Sequence, residues 1–120
     1  DRQNPEKTNT INQAINHSAT AIQAAAMIAV TVTGTIPQLG FIHEASGRAF
    51  ALDIADLFRA SIALPVAFEA AHEHKHRPHL EIERLTRRKA GRRLQREKVI
   101  PDMIDAIKEV LDVDDADDHP

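Results

Sequence analysis

The chain has 120 residues, which limits it to one domain, or to a part of one, with a core of modest size. Aromatic residues make up only 3% and include no Trp or Tyr, so the core has to be built from Ala, Ile, Leu and Val, which favours closely packed helices. The absence of cysteine excludes disulfides and thiolate metal sites, and the formal net charge of −3 argues against a surface that is basic throughout.

The first predicted helix begins near Asn9 or Thr10, either of which can act as an N-cap, and stops at Gly34. The β-branched residues just before Gly34 leave its last turn open to an extended conformation. The longest nearly apolar run, residues 19–32, contains polar residues and is too short to span a bilayer, and no signal peptide is visible. We therefore expect a soluble, cytoplasmic protein with no membrane contact. Because the first residue is not Met, we also expect that the upstream part of a longer chain is absent.

Proline, glycine and periodicity signals predict four further helices, at about residues 49–64, 65–77, 80–96 and from 101 onward. The Ser46–Gly47 pair predicts a turn before the first of these, whose packed side should hold Leu52, Ala55, Phe58 and Ile62. The chain then divides into a polar lead-in at residues 1–8, a helical part at 9–111 and an acidic, disordered tail at 112–120. The predicted class is all-α, with about five helices.

Two aspartates, Asp53 and Asp56, interrupt the apolar segment "ALDIADLF". Packing alone would prefer Leu or Ala there, and a buried carboxylate is costly unless a cation meets it. Three residues apart on a helix, both carboxylates share one face, and the predicted turn allows His43 to fold back against them. One imidazole and two carboxylates suit Mn²⁺ or Mg²⁺ with several waters. The alternative is an exposed helix N-terminus whose dipole the acids stabilise, beside a structural histidine.

Basic residues are concentrated in one stretch, residues 84–98, which carries eight of the fifteen lysines and arginines and a single acid. Arg84, Arg88 and Arg92 fall at four-residue steps, and Arg87 and Lys98 flank them. This pattern favours contact with a polyanion through its phosphates, without dependence on sequence, because no aromatic residue is interleaved for base stacking. A charge run is equally typical of a solvated helix face.

The segment "HEHKH", residues 72–76, satisfies the zinc-protease pattern H-E-x-x-H. Lys75 interrupts the apolar setting that such helices have, Pro78 ends the helix at once, and no third ligand of the usual spacing follows. We interpret the segment as a histidine-rich loop. The alternative is adventitious metal binding by four histidines: His72, His74, His76 and His79.

The string "GFIH" followed nine residues later by "DIAD" resembles the metal-site region of the CRISPR-associated spacer-acquisition integrase and endonuclease, type I-E branch. The segments "INQAIN", from Ile11, and "SIALPVAFEAA", from Ser61, are also similar to that family's helical lobe. The similarity covers roughly residues 8–113. It implies a protein with a small N-terminal β-domain, and the present chain would be the latter half of its helical C-terminal lobe.

The resemblance assigns His43, Asp53 and Asp56 as the catalytic metal ligands, with Mg²⁺ or Mn²⁺ as cofactor. It places Arg59, just after the "DIAD" helix turn, together with Arg84, Arg87, Arg88 and Arg92, against the DNA backbone. The family's remaining ligand is a glutamate on an earlier helix. The only upstream acids here are Asp1 and Glu6, in a polar lead-in unlike that helix, so we expect the fragment to be inactive alone.

The implied reaction is transesterification without a covalent protein intermediate, in which the 3′-hydroxyl of captured DNA attacks a phosphodiester of the CRISPR repeat. The implied partners are double-stranded DNA, a second copy in the intact protein and a small companion subunit of the adaptation complex, which the C-terminal end helps to contact. Two alternatives remain: a non-catalytic helical DNA-binding module that uses residues 84–98, and a purely structural interaction domain.

Overall fold

A computed structural model describes residues 5–34 and 44–118 of the chain. These ranges form five α-helices and one π-helical turn, and they contain no strand. In chain order the elements are α1 (Pro5–Thr33), α2 (Glu44–Leu57), the π-turn (Arg59–Ala63), α3 (Leu64–His76), α4 (Ile82–Arg96) and α5 (Val99–Asp118). The prediction of an all-α fold with about five helices is confirmed.

Helix α1 is the centre of the fold, since it packs against α2, α3, α4 and α5 as well as the π-turn. Its buried side is built largely from alanine, with Ile22 as the large residue at its middle. Small residues let helices approach closely, because the interaxial distance depends on the side chains at the contact. The larger core cluster has members from all five helices and from the π-turn, and a smaller one joins the first half of α1 to α3 and α4.

Within α1, the segment Thr8–Thr33 is long and apolar enough to cross a membrane by length and composition alone. The run of residues 19–32 therefore understated its apolar length. In the fold, Ile22, Ala25, Ala26 and Ala29 of this segment form the core. Because 33% of the apolar segment is buried inside the fold, this packing accounts for only part of its apolar composition, and Ile28 and Val32 stay exposed.

The path from α2 to α3 is nearly continuous, and the π-turn lies in its middle. The N–H groups of Ala63 and Leu64 donate to carbonyls five residues back, those of Phe58 and Arg59. Pro65 follows at once, and a proline ring removes one N–H donor and crowds the carbonyl four residues before it. The wider turn ahead of Pro65 relieves this crowding and keeps the chain helical where the sequence predicted two separate helices.

Several predicted boundaries were wrong. Helix α1 begins at Pro5 rather than near Asn9, because proline suits the first helical position. The predicted turn at Ser46 and Gly47 is not formed, since both residues lie inside α2. Leu52 is exposed, because the inward side of α2 is centred on Ala51, Ile54 and Ala55.

The last helix also differs from its prediction. α5 begins at Val99, after Lys98 in the left-handed conformation, and continues through Asp118. Pro101 is tolerated as its third residue, because the first N–H groups of a helix have no partner inside it. The helix thus includes residues 112–118, for which the sequence predicts disorder. Once a helix is nucleated, each added residue gains a backbone hydrogen bond, so α5 extends into the acidic stretch.

Candidate functional site

Asp53 and Asp56 both lie on the outer side of α2 and are exposed. The prediction that they share one helix face is confirmed, whereas the expectation that they are buried is wrong. Ile54 and Ala55, which lie between them, point into the core. With 3.6 residues per turn, aspartates placed on either side of this buried pair emerge toward solvent.

The position of the two aspartates within α2 contradicts their interpretation as acids at a helix N-terminus. They lie in the last two turns of α2, which ends at Leu57. The dipole of a helix does not favour negative charge near its C-terminal end. Neither carboxylate forms an ion pair with any residue that the structure describes. Two adjacent negative charges therefore stand without a neutralising partner in the described ranges.

A small cleft lies beside this pair, between α1 and the junction of α2 with the π-turn. Asp56, Arg59 and Gln23 line it, and its volume of about 20 Å³ leaves room for about one water molecule. Arg59 is exposed and, within the described ranges, has no acidic group within 4 Å. The structure thus brings a carboxylate and an unpaired guanidinium to one cleft.

His43 lies outside the described residues. The nine residues between it and Asp53, residues 44–52, all belong to α2, so the predicted turn does not form there. Among residues 5–34 and 44–118 there is no group of three or more His, Asp or Glu side chains that could hold a metal ion. The described part of the chain therefore offers two oxygen donors at this site, and the role of His43 stays a prediction.

A second candidate surface is the outer side of α4. Arg84, Arg88 and Arg92 are all exposed, and none has an acidic partner among the described residues. Residues four apart are neighbours on a helix surface, and two such steps advance about 12 Å along the axis. The three guanidinium groups therefore form a row of positive charge, which we call the α4 arginine row.

Other basic residues of α4 have partners within the chain. Arg87 forms an ion pair with Glu83 at 3.1 Å, one turn earlier. Arg93 contacts Glu69 of α3 and Glu97, and Lys89 contacts Glu73 of α3 at 2.8 Å. The pairs of Lys89 with Glu73 and of Arg93 with Glu69 join α4 to α3, so only part of the basic stretch is available to a partner. Arg87 is exposed and can still exchange Glu83 for a phosphate.

The histidine-rich segment is helical, and its interpretation as a loop was wrong. His72, His74 and His76 belong to the last turns of α3, which His76 ends. Glu73 has no freedom to act as the general base of a zinc protease, because Lys89 and Arg77 both bind its carboxylate. The hydrogen bond from Lys89 is the main cause that lowers the pKa of Glu73. A lowered pKa makes a weaker base, which argues further against the protease.

Ser18 is a structural residue of this region that the sequence did not reveal. It is fully buried on α1, and its hydroxyl donates to the carbonyl of Ala63 at 2.7 Å. This bond ties the end of the π-turn to the central helix, and Arg59 begins that turn. The sequence did hold one sign of this role, since Ser18 lies four residues from both Ala14 and Ile22 and so shares their packed helix face. A serine on a packed face needs a buried hydrogen-bond partner.

The model of the CRISPR associated protein Cas1 family matches residues 1–110 of the chain. No solved structure matches it significantly.

Several curated relatives carry names of that family. The CRISPR-associated endonuclease Cas1 of Clostridium sp. (strain SY8519) is 40% identical over 65 residues, which cover 54% of this chain and 22% of that protein. The protein of the same name from Escherichia coli (strain K12) is 32% identical over 77 residues, or 64% of this chain and 25% of that protein. The Geobacter sulfurreducens protein is 31% identical over 100 residues, or 83% and 31%. The chain spans less than a third of the length of these relatives.

Proposed function

Because the chain belongs to the CRISPR-associated Cas1 family, we propose that it is part of a divalent-metal-dependent DNA integrase and endonuclease of CRISPR adaptation. The observation that carries this proposal is the pair of exposed carboxylates, Asp53 and Asp56, one helical turn apart and without a cationic partner in the described ranges. The names of the relatives support an endonuclease. The type I-E branch and the C-terminal position within a two-domain protein are further parts of the proposal.

The donor set fits Mg²⁺ or Mn²⁺. Mg²⁺ is usually bound through one or two carboxylates together with substrate phosphates, and it keeps several waters. Asp53 and Asp56 provide two carboxylates in an open position, where a phosphate and waters can complete the shell. His43 is the proposed third ligand, and an imidazole there favours Mn²⁺. A cation bound in this way stabilises negative charge on the phosphate oxygens of the reacting group.

The chain's own residues have separate tasks in the proposed reaction. Asp53, Asp56 and His43 would hold the cation, while the exposed guanidinium of Arg59, next to Asp56, would donate to a non-bridging phosphate oxygen of the DNA. The 3′-oxygen of captured DNA forms a new bond to phosphorus and releases its proton to solvent. The bond between phosphorus and the repeat's departing oxygen breaks, and that oxygen takes up a proton. If water takes the place of the 3′-hydroxyl, the same site cuts DNA.

The α4 arginine row supports the proposal of double-stranded DNA as partner. Lysines and arginines that contact phosphates supply sequence-independent affinity and position the duplex. The row also favours the second candidate function, a non-catalytic DNA-binding module based on residues 84–98. That function would not depend on His43, Asp53 or Asp56. The proposed setting is cytoplasmic, with a second copy and a small companion subunit as protein partners in the whole protein.

The decisive test replaces Asp53 by Ala in a full-length Cas1 protein that carries this segment. Asp105→Ala is the matched control, since Asp105 is an exposed aspartate on α5. We expect Asp53→Ala to abolish plasmid nicking and spacer integration with Mn²⁺, while the circular dichroism of both variants stays that of the parent. Activity above about a tenth of the parent's in Asp53→Ala would contradict the metal role.

The 120-residue chain alone separates the two candidate functions. We expect it to bind Mn²⁺ weakly, and Asp53→Asn to remove this binding without changing its affinity for a DNA duplex. It should not nick DNA, because the family's glutamate ligand is missing from the chain. Robust nicking that is lost on His43→Ala would show that the glutamate is dispensable. Mn²⁺ binding that Asp53→Asn leaves unchanged would favour the non-catalytic module.

A further inference from the structure

His72 and His76 form a pair of exposed imidazoles on the outer side of α3. They are four residues apart, so they lie one above the other on the same helix face. Their ring centroids are 4.8 Å apart and their planes meet at 69°. Both rings line an open cleft between α3 and α4, together with Phe68 and Lys89. This pair lies on a different helix from Asp53 and Asp56.

The separation of the rings matches two ligands of one metal ion. A metal–nitrogen bond of about 2.05 Å, extended by about 1.15 Å to the ring centre, places two imidazole centroids about 4.5 Å apart at a metal angle of 90° and about 5.2 Å apart at 109°. The observed 4.8 Å lies between these values. The rings now stand edge to face, so a single cation can be held by both once the two side chains rotate to turn a nitrogen of each toward it, without movement of the helix.

The groups around the pair are already engaged, which leaves the two imidazoles available. Glu73 is held by Lys89 and Arg77, so the ammonium group beside the cleft is neutralised. His74 is turned to another side of α3, where its Nδ1 lies 2.8 Å from the carbonyl oxygen of Leu80. The hydrogen bonds and ion pairs in the described part of the chain include none to the ring of His72 or His76.

We propose that His72 and His76 form a two-ligand site for a divalent cation that prefers imidazole, namely Zn²⁺, Ni²⁺ or Cu²⁺. Neutral imidazole suits these ions, whereas Mg²⁺ and Mn²⁺ prefer oxygen ligands. The remaining coordination positions are open to water, since the described residues offer no third protein ligand. The site is separate from the aspartate pair in both position and metal preference, and it does not rest on the proposed function.

Isothermal titration calorimetry of the 120-residue chain with Ni²⁺ and with Zn²⁺ tests the site. We expect each chain to bind one ion of either metal at this site. His72→Gln and His76→Gln should each weaken the affinity for that ion by at least about tenfold, because a second linked ligand multiplies affinity. His79→Gln is the matched control, since His79 is exposed just beyond α3, and it should change the affinity less than about twofold. All three substitutions place Gln, a good helix former, at exposed positions, and circular dichroism confirms that each variant is folded.

Two outcomes would overturn the proposal. One is an affinity for Ni²⁺ and Zn²⁺ that stays within about twofold of the parent's in both His72→Gln and His76→Gln. The other is an equal loss in His79→Gln, which would show diffuse binding by surface histidines. Asp53→Asn should leave Ni²⁺ binding unchanged, whatever it does to Mn²⁺ binding. Failure of this site and failure of the proposed catalytic site are therefore distinguished by the metal and by the variant.

Discussion

Replacing Arg84, Arg88 and Arg92 together by Gln removes the α4 arginine row without breaking any ion pair among the described residues. Each phosphate contact contributes about −0.9 to the slope of log K against log salt concentration for B-DNA, so three contacts contribute about −2.7. A fourfold rise in salt, from 50 to 200 mM, then weakens the parent about 40-fold more than the variant. The row of about 12 Å covers roughly seven charges of the duplex axis, which gives each arginine its own phosphate.

The assay is fluorescence anisotropy of a labelled 30-base-pair duplex at several salt concentrations between these limits. A control variant with Arg48, Lys75 and Lys108 replaced by Gln removes the same formal charge from other surfaces, and it too breaks no ion pair among the described residues. We expect the control variant to keep a slope close to the parent's. The parent and the control should each bind a second duplex of unrelated sequence with the same affinity as the first. A slope in the arginine variant within about 0.5 of the parent's would refute DNA binding by this row.

Three further predictions concern the fold. Ile22→Ala should lower the free energy of unfolding by about 2 to 5 kcal/mol in urea titrations, because Ile22 is only 1% exposed. The control Ile28→Ala, on the same helix, should lower it by less than about 1 kcal/mol, because Ile28 is 52% exposed. Equal losses would contradict the orientation of α1. Lys98→Gly should raise the melting temperature, since Lys98 has a φ of 52° that costs about 1 kcal/mol for a residue with a side chain, and Lys98→Ala should not. Glu73→Gln should reduce the loss of unfolding free energy at acid pH. The pKa of Glu73 is lowered in the folded protein, so its ionised form stabilises the fold above the ordinary pKa of 4.5. This contribution is lost as the pH falls through the lower pKa of the folded protein. A steep acid loss of equal size in Glu73→Gln would assign it to other groups.

Local signals predicted the helices well where the deciding residue lies in the segment itself. α4 was predicted at about 80–96 and observed at Ile82–Arg96, and α3 was predicted to end before Pro78 and ends at His76. Gly34 stops α1 as predicted. The π-turn was not predicted, although Pro65 was a local signal for a change in helix geometry; the other contact at this turn, from Ser18 to its last carbonyl, comes from 45 residues earlier. A contact of that range has no signature in the segment that it stabilises.

The candidate site shows the same limit. The three-residue spacing of Asp53 and Asp56 was enough to predict a shared face, since this follows from the pitch of a helix. Their exposure depends on which side of α2 meets α1, and the periodicity of Leu52, Ala55 and Phe58 suggested a side about one residue away from the observed one. The prediction of buried acids therefore failed, although the prediction of a paired carboxylate face did not.

The segment "HEHKH" shows why a pattern of residue types leaves its chemistry undecided. In a zinc protease the central glutamate has to be free to accept a proton. Here Lys89, sixteen residues later on α4, binds Glu73, so the packing of α3 against α4 removes the base from the pattern. The same packing leaves His72 and His76 exposed on one face with their rings 4.8 Å apart. The two histidines of the motif, His72 and His76, thus keep their capacity to bind a cation. Its glutamate, Glu73, instead joins α3 to α4 through Lys89.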